Sequence, residues 1–211
     1  MFQIAYGQGT GTAFTIDFNG NEYLVTAAHV IPKIKNGDPI YIRRGSEWVE
    51  HPVLWVSKAE GDLDVAVLQI GAKLTPKDLP ALASKADMIY GQEVYFLGFP
   101  FGWVGHFHTH DGYPLPFVKR ATASLFDPLL LYLDGHNNPG FSGGPVVFRP
   151  PNQNDFRIAS IISGYRTATE KIKIGEVVTE FSTNVNTGII HSYNIEIALE
   201  LLEAQGSKGT G

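Results

Sequence analysis

A serine flanked by glycines lies in residues 138–145, which read Asn-Pro-Gly-Phe-Ser-Gly-Gly-Pro. Glycines on either side of Ser142 allow the backbone to approach a bound molecule closely. Such a loop can direct the amide N–H groups of Gly140 and Ser142 at one point, where they would stabilise the oxyanion of a tetrahedral intermediate. Ser142 is therefore a candidate nucleophile. The alternative interpretation is an ordinary serine in a glycine-rich turn.

A serine nucleophile needs a neighbouring base, because its hydroxyl is a poor nucleophile near neutral pH. His29 is a candidate, since it closely follows the apolar residues 23–25 and would lie at a strand end, where side chains can face a cleft. A carboxylate must then hold the imidazole in the correct tautomer. Asp64 directly precedes the apolar residues 65–68, and Asp62 would share its face of a strand. From this pattern both aspartates are candidates.

The serine segment also matches Gly-x-Ser-x-Gly, the nucleophile motif of α/β-hydrolases, whose acid and histidine follow the serine along the chain. Asp155 and His191 satisfy that order. The motif requires a strand that leads into a helix, whereas Pro145 and the apolar residues 146–148 predict another strand. Crossover helices are also missing from the pattern, which disfavours an esterase.

A cluster of histidines forms a further candidate site. Because alternate residues of a strand face the same side, His106, His108 and His110 with Asp111 have the ligand types of a zinc site. Surrounding glycines and prolines instead predict a long loop with solvated side chains. We predict no metal site and no cofactor, and the sequence leaves open whether this loop binds metal.

Composition limits the classes of partner. The chain has 211 residues and a formal net charge of −5, with acidic and basic residues mixed along it, so neither nucleic acid nor a membrane is an expected partner. A protein or peptide is the expected partner, and the sequence does not predict an oligomeric state. The chain has no cysteine and begins without the pattern of a signal peptide. These features favour a reducing compartment or a bacterial source, and we predict a cytoplasmic protein.

The candidate residues lie among many short strands. Apolar or alternating stretches recur between Gly, Asn, Asp and Pro residues, which is typical of antiparallel all-β proteins. The predicted strands are residues 13–17, 22–26, 40–43, 53–56, 65–70, 94–99, 117–124, 129–133, 146–148, 157–163 and 187–190. Asn19-Gly20 predicts a hairpin turn. Helical spacing of apolar residues predicts one helix near the C-terminus.

Three motifs taken together resemble the trypsin-like peptidase superfamily. They are Thr-Ala-Ala-His29, Asp64-Val-Ala-Val-Leu and Gly-Phe-Ser142-Gly-Gly-Pro, in that order along the chain. The resemblance covers nearly the whole chain. The opening Gly-Thr-Gly-Thr-Ala-Phe14, the segment Gly98-Phe-Pro-Phe-Gly and the closing helix are most similar to bacterial HtrA/DegP-type protease domains, without a PDZ module.

The resemblance implies an all-β, chymotrypsin-like double β-barrel with a C-terminal α-helix, and a serine endopeptidase that uses no cofactor. The implied peptidase domain spans residues 1–205, with barrels at roughly 1–85 and 86–190. The helix, at about 193–204, is expected to dock on the second barrel. Residues 206–211 are expected to form a flexible tail.

The resemblance also assigns roles to residues. It implies that His29, Asp64 and Ser142 form a catalytic triad, with Asp64 preferred to Asp62, and that the Gly140 and Ser142 amides form the oxyanion hole. Phe141 stands where pancreatic-type relatives have an aspartate that binds a newly released N-terminus. Activation by N-terminal cleavage is therefore not expected.

Residues that bind substrate are implied in the same way. Ser163 and Gly164 resemble the stretch that pairs with the substrate backbone, and counting back from Ser142 places His136 near the floor of the specificity pocket. An imidazole there would favour acidic or polar side chains. The alternative function is a latent or non-catalytic protease fold that serves as a binding or regulatory module.

Overall fold

The computed structural model describes residues 1–75, 81–82, 87–105 and 112–208. Within these residues the strands are β1 (Phe2–Tyr6), β2 (Gly9–Phe18), β3 (Asn21–Thr26), β4 (Pro39–Arg44), β5 (Glu47–Lys58), β6 (Ala66–Ile70), β7 (Ala81–Leu82), β8 (Glu93–Gly98), β9 (Phe117–Phe126), β10 (Leu130–Asp134), β11 (Pro145–Phe148), β12 (Arg157–Ile174) and β13 (Val177–Asn194). One α-helix, α1 (Ile195–Lys208), follows β13, and short 3-10 helices lie at Ala28–Val30 and Pro100–Gly102.

The first six strands form a closed barrel in the order β1-β2-β3-β6-β5-β4. Antiparallel pairing of β1 with β4 closes it. The β2–β3 turn has positive φ at Asn19 and Gly20, 52° and 77°, which confirms the predicted hairpin turn. Apolar side chains from every strand fill the interior, among them Ile4, Ala13, Leu24, Ile42, Val53 and Leu68.

The second barrel has the strand order β11-β8-β9-β10-β13-β12, and pairing of β11 with β12 joins its two ends. Large apolar side chains fill its core, including Phe96, Leu131, Leu133, Phe141, Phe148 and Ile162. The prediction of an all-β double barrel with a C-terminal helix is confirmed. β7 pairs in parallel with β12, although residues 81–82 lie within the range expected for the first barrel.

α1 lies over the junction of the two barrels. Its residues Ile195, Ile197, Ala198 and Leu202 share one buried cluster with Phe14, Val25, Val67, Ile158 and Ile161. The helix therefore packs on the second barrel, as expected, and also on the first. It also begins two residues later and continues to Lys208, which includes the start of the predicted tail. Asn194 still belongs to β13, where its amide donates to the carbonyl of Leu129.

Two structural features were not expected. β1 escaped prediction because Gln3 interrupts its apolar pattern, yet Gln3 is buried and its side-chain oxygen accepts a hydrogen bond from Arg43. β12 and β13 are 18 residues each, far longer than the predicted strands at 157–163 and 187–190.

No helix of the described residues is long and apolar enough to cross a membrane. The histidines at 106, 108 and 110 lie outside the described residues.

Candidate active site

His29 and Asp64 lie together on the first barrel. His29 lies in the short helix after β3, and Asp64 lies two residues before β6. The Nδ1 atom of His29 is 2.6 Å from Oδ2 of Asp64, and the His29 amide donates to Oδ1 at 2.8 Å. The two contacts hold the imidazole with Nδ1 toward the carboxylate, which leaves Nε2 for a reacting group. Asp62 is exposed and makes no such contact.

Ser163 of β12 adds a contact from the second barrel. Its hydroxyl donates to Oδ2 of Asp64 at 2.5 Å. Burial by itself would raise the pKa of Asp64, but the hydrogen bonds from His29 and Ser163 outweigh burial and lower it. The side chain of Asp64 is only 16% exposed, whereas that of His29 is 52% exposed. The carboxylate thus stays ionised under a histidine that is open to solvent.

Ser142 lies in the loop between β10 and β11. Its hydroxyl donates to the carbonyl of Ser163 at 3.1 Å, and among the described residues it has no hydrogen bond with His29. Ser163 therefore contacts both sides of the site, through its hydroxyl to Asp64 and through its carbonyl to Ser142. Catalytic hydrogen bonds in unliganded structures are often incomplete and form when substrate binds.

Close backbone packing fixes the loop before Ser142. Gly140 has φ of 103°, a value that favours glycine, and a Cβ atom there would lie 2.3 Å from the carbonyl oxygen of Phe99. The carbonyl of Pro139 accepts a hydrogen bond from the amide of Phe101 at 2.9 Å. Phe101 itself has φ of 53°, a left-handed conformation that is strained for an aromatic residue.

Thr12 of β2 holds the same loop from the first barrel. Its hydroxyl donates to the carbonyl of Gly140 at 2.8 Å, and its amide donates to the carbonyl of Ser142 at 2.9 Å. Thr12 is fully buried. Among the described residues, the amides of Gly140 and Ser142 have no protein acceptor. They are therefore able to donate to another acceptor.

Phe141, between these two residues, points into the second barrel. It is fully buried and packs edge-on against Phe96, with ring centroids 4.9 Å apart. Apolar burial thus anchors the loop where pancreatic-type relatives are expected to use an aspartate. The ammonium group of Lys119 also lies over the Phe141 ring, 5.7 Å from its centroid.

The residues implied for substrate binding lie in two places. His136 is exposed, and its ring accepts a hydrogen bond from the side chain of Asn138 at 3.4 Å. Lys119 of β9 donates to the His136 carbonyl at 2.7 Å and to Oδ1 of Asn138 at 2.6 Å, and burial lowers its pKa. Sequence reasoning missed Lys119, because nothing in the motif around Ser142 indicates a partner on another strand.

Gly164 lies on β12 beside His191 of β13. A Cβ atom at Gly164 would lie 3.1 Å from Cε1 of the His191 ring, so glycine lets the imidazole pack against the backbone. Burial and the charge of Arg166 lower the pKa of His191. Its Nδ1 is buried and has no hydrogen-bond partner within the described residues. His191 is therefore a partly buried ring that packs against the backbone of Gly164.

The structure contradicts the esterase alternative. The loop of Ser142 leads into β11, an antiparallel strand, and not into a helix of a parallel sheet. Asp155 is exposed in the turn before β12. The two-barrel architecture, with a histidine–aspartate pair on one barrel and a serine loop on the other, defines the class of chymotrypsin-fold proteins.

A family model described as a trypsin-like peptidase domain matches residues 9–149. The chain belongs to this family of trypsin-like peptidases. It is similar to Protease Do-like 1, chloroplastic, of Arabidopsis thaliana, with 32% identity over 150 residues. The match covers 66% of this chain and 30% of that protein, so the chain spans less than a third of the curated relative's length.

Solved structures share the fold at low sequence identity. An inactive form of a mutant of Rv3671c from M. tuberculosis has a TM-score of 0.55 and 16% identity, and the match covers 98% of this chain and 86% of that one. The HtrA-type protease AlgW, solved with a tripeptide, has a TM-score of 0.60 and 20% identity, with coverage of 96% and 58%. These structures support the double-barrel fold.

Proposed function

We propose that this chain is a serine endopeptidase whose triad is His29, Asp64 and Ser142. The observation that carries the proposal is the series of hydrogen bonds from His29 to Asp64, from Ser163 to Asp64, and from Ser142 to Ser163. It joins a base, a carboxylate and a nucleophile across the two barrels. Membership in a peptidase family supports the same reaction.

The reaction begins when the Ser142 hydroxyl turns from the Ser163 carbonyl to Nε2 of His29. Ser142 Oγ attacks the peptide carbonyl while His29 takes its proton, and Asp64 stabilises the imidazolium. The amides of Gly140 and Ser142 bind the oxyanion. Collapse breaks the C–N bond, His29 gives its proton to the leaving amine, and water then hydrolyses the acyl-enzyme through the same steps.

The carbonyl oxygen of Ser163 accepts a hydrogen bond from the Ser142 hydroxyl, and it is also the acceptor that we propose for the substrate. The Ser163 carbonyl, at the unpaired edge of β12, is the acceptor that a substrate backbone N–H requires. A substrate that binds there displaces the Ser142 hydroxyl and frees it to reach His29. The hydrogen bond at 3.1 Å is thus the resting arrangement of a site that is competent when substrate arrives.

The finer assignments are part of the same proposal. The substrates are proteins or peptides, and Ser163 and Gly164 bind their backbone. His136, together with Lys119, lies beside the loop of Ser142 and is the candidate for side-chain selection. A cytoplasmic, bacterial protein is the localisation and source that we propose from the absence of cysteine.

A fluorophosphonate probe, read out by intact mass, tests this proposal. We expect single labelling of the native chain, with labelling lost in Ser142→Ala and His29→Ala. His191→Ala is the matched control, because His191 is a nearby histidine without a role in proton transfer, and it should still be labelled. Failure to label the native chain would point to a latent or non-catalytic protease fold.

A further inference from the structure

The end of the β12–β13 hairpin extends beyond the second barrel. We define the arm as residues 168–174 of β12 and 177–185 of β13. Among the described residues, the hydrogen bonds of the arm stay within it, as from Thr169 to Asn184 and from Lys171 to the Glu180 carbonyl. A two-stranded ribbon of this kind has little stability of its own and leaves strand edges that invite pairing.

One face of the arm is apolar and exposed. The register places Ile174 opposite Val177 and Ala168 opposite Val185 on one face, and strand alternation adds Ile172 and Phe181. Phe181 is 73% exposed, Ile174 72% and Val177 67%. Glu170, Thr179 and Thr183 share this face. An exposed apolar surface of this kind marks an interaction site.

The opposite face of the arm is mostly polar. On β12 it carries Thr169, Lys171 and Lys173, and on β13 it carries Asn184, Ser182, Glu180 and Val178. The two lysines lie on β12, the strand with the free edge, whereas Glu180 lies on β13. An extended chain that lies along this arm would place apolar side chains on one face and acidic or polar side chains on the other.

The free edge of β12 begins at the candidate active site. β12 pairs with β11 up to Ile161, and the Ile162 amide donates to the carbonyl of Gly144. From Ser163 to Ile174 the described residues provide a strand partner on the β13 side only. The pairing of β12 with β13 has two register shifts beyond Gly164, and at each of them the additional residues lie on β13. β12 itself therefore continues as a regular strand.

The direction of the Ser163 carbonyl shows which backbone groups face that edge. Because it points to Ser142, alternate residues along the strand, namely Tyr165, Thr167, Thr169, Lys171 and Lys173, present their N–H and C=O groups to the same side. At about 3.3 Å per residue, the free edge extends roughly 40 Å from the nucleophile. An antiparallel peptide on this edge runs toward Ser142, so the part that precedes the cleaved bond lies along the arm.

We propose that the free edge of β12 from Tyr165 to Ile174, with the apolar face of the arm, binds the extended substrate segment on the N-terminal side of the cleaved bond. The proposal rests on the endopeptidase function proposed above and names its substrate class. The occupant is a polypeptide without folded structure whose side chains alternate between apolar and acidic or polar. Binding is by strand addition, with backbone hydrogen bonds for affinity and alternate side chains for selection.

The test compares three peptides. The first is a cleavable core peptide of about six residues, the second carries about ten additional residues at its N-terminus, and the third carries about ten at its C-terminus. The extensions alternate Val with Glu or Thr, which matches the two faces of the arm. We expect the N-terminal extension to lower KM about tenfold with little change in kcat, the equivalent of one or two net hydrogen bonds. The C-terminal extension should have no effect. Equal KM values for all three peptides would overturn the proposal.

Backbone methylation of the N-terminal extension tests strand addition directly. A single N-methyl group removes one donor, and only alternate amides of a paired strand face their partner. We expect KM to rise at every second position of the scan. A uniform profile would show that the extension does not bind as a strand.

The double variant Ile174→Ser/Phe181→Ser tests the apolar face, with Val178→Ser on the other face as the matched control. All three side chains are exposed, so folding is not at risk. In the double variant, the KM of the N-terminally extended peptide should rise to that of the core peptide, and the KM of the core peptide should stay unchanged. In the control variant, the KM values of both peptides should stay unchanged. If the double variant instead changes only the oligomeric mass, the arm joins copies of this chain and the proposal is wrong.

Binding to Ser142→Ala separates the two proposals. We expect the labelled N-terminally extended peptide to bind this variant, measured by fluorescence anisotropy, and to bind less when Ile174→Ser/Phe181→Ser is added. This outcome supports the arm site even if the native chain fails to label with the fluorophosphonate. Labelling without extension-dependent binding would retain the endopeptidase and reject the arm site.

Discussion

His29 and Asp64 on the first barrel hold each other directly, through contacts of 2.6 Å and 2.8 Å, whereas the serine loop of the second barrel is held by residues outside it. Thr12 binds the Gly140 carbonyl and Phe101 binds the Pro139 carbonyl. The base is therefore oriented mainly from its own barrel, with one further contact to Asp64 from Ser163 of the second barrel, while the position of the Gly140 and Ser142 amides depends on how the two barrels pack. We therefore expect loss of Asp64 to lower turnover with little change in stability, and changes around the serine loop to lower both turnover and stability.

The largest expected effect comes from Asp64→Asn. Loss of the carboxylate removes control of the His29 tautomer, so kcat should fall by about 10⁴-fold with the fold intact. Turnover of a fluorogenic peptide measures this fall. Asp62→Asn is the matched control and should leave kcat unchanged. If Asp62→Asn abolishes turnover and Asp64→Asn does not, the assignment of the carboxylate is wrong.

The loop side should respond to Phe141→Ala first through stability. Removing a fully buried phenylalanine costs about 3–5 kcal/mol of unfolding free energy. Chemical denaturation measures this loss, and the half-exposed Phe117→Ala provides the comparison, with a smaller cost. An unchanged unfolding midpoint for Phe141→Ala would show that the loop has another anchor.

Thr12→Val separates positioning from packing. The variant keeps the shape of the side chain but loses the hydrogen bond to the Gly140 carbonyl, so we expect about tenfold lower kcat with KM unchanged. Thr12→Ser should restore kcat. Thr26→Val is the control for loss of a buried hydrogen bond, because the Thr26 hydroxyl lies beside Gly143 but donates to the Thr12 carbonyl and not to the Gly140 carbonyl. Equal losses of kcat in both valine variants would assign Thr12 a structural role only.

The smallest effect is the pH dependence that Asp64 contributes to stability. Its folded-state pKa is lowered, so its contribution is present above the pKa of an unfolded aspartate, about 3.9, and is lost as pH falls through the folded-state value. The native chain should therefore lose unfolding free energy over this acidic range faster than Asp64→Asn does. Parallel stability curves for the two proteins would show that the Asp64 hydrogen bonds do not favour its ionised form.

The sequence allowed a candidate site residue to be located where a single residue type within a short motif has a chemical role. The serine loop, the histidine after β3 and the aspartate before β6 could all be found in this way, and so could the strands with apolar alternation. The resemblance was needed to choose between Asp62 and Asp64, because both precede the same apolar run. The structure brings Asp64, and not Asp62, to His29.

Contacts between distant residues could not be found in this way. Thr12 and Gly140 are 128 positions apart, and Ser163 and Asp64 are 99 apart, so no local pattern joins them. The arm is a different case. Its alternation of Ile172 and Ile174 with lysines has the period of a strand, but polar residues such as Thr167 and Asn184 hide the continuity with the barrel.

The arm also affects how this protein can diverge. Its strands pair only with each other within the described residues, so pairs of residues can be gained or lost at its tip without any change at Ser142 or His29. A change by one residue in each strand would exchange the two faces at the tip, whereas a change by two preserves them. The length of the arm is therefore free to vary in steps of roughly 6.6 Å, independently of the chemistry at its base.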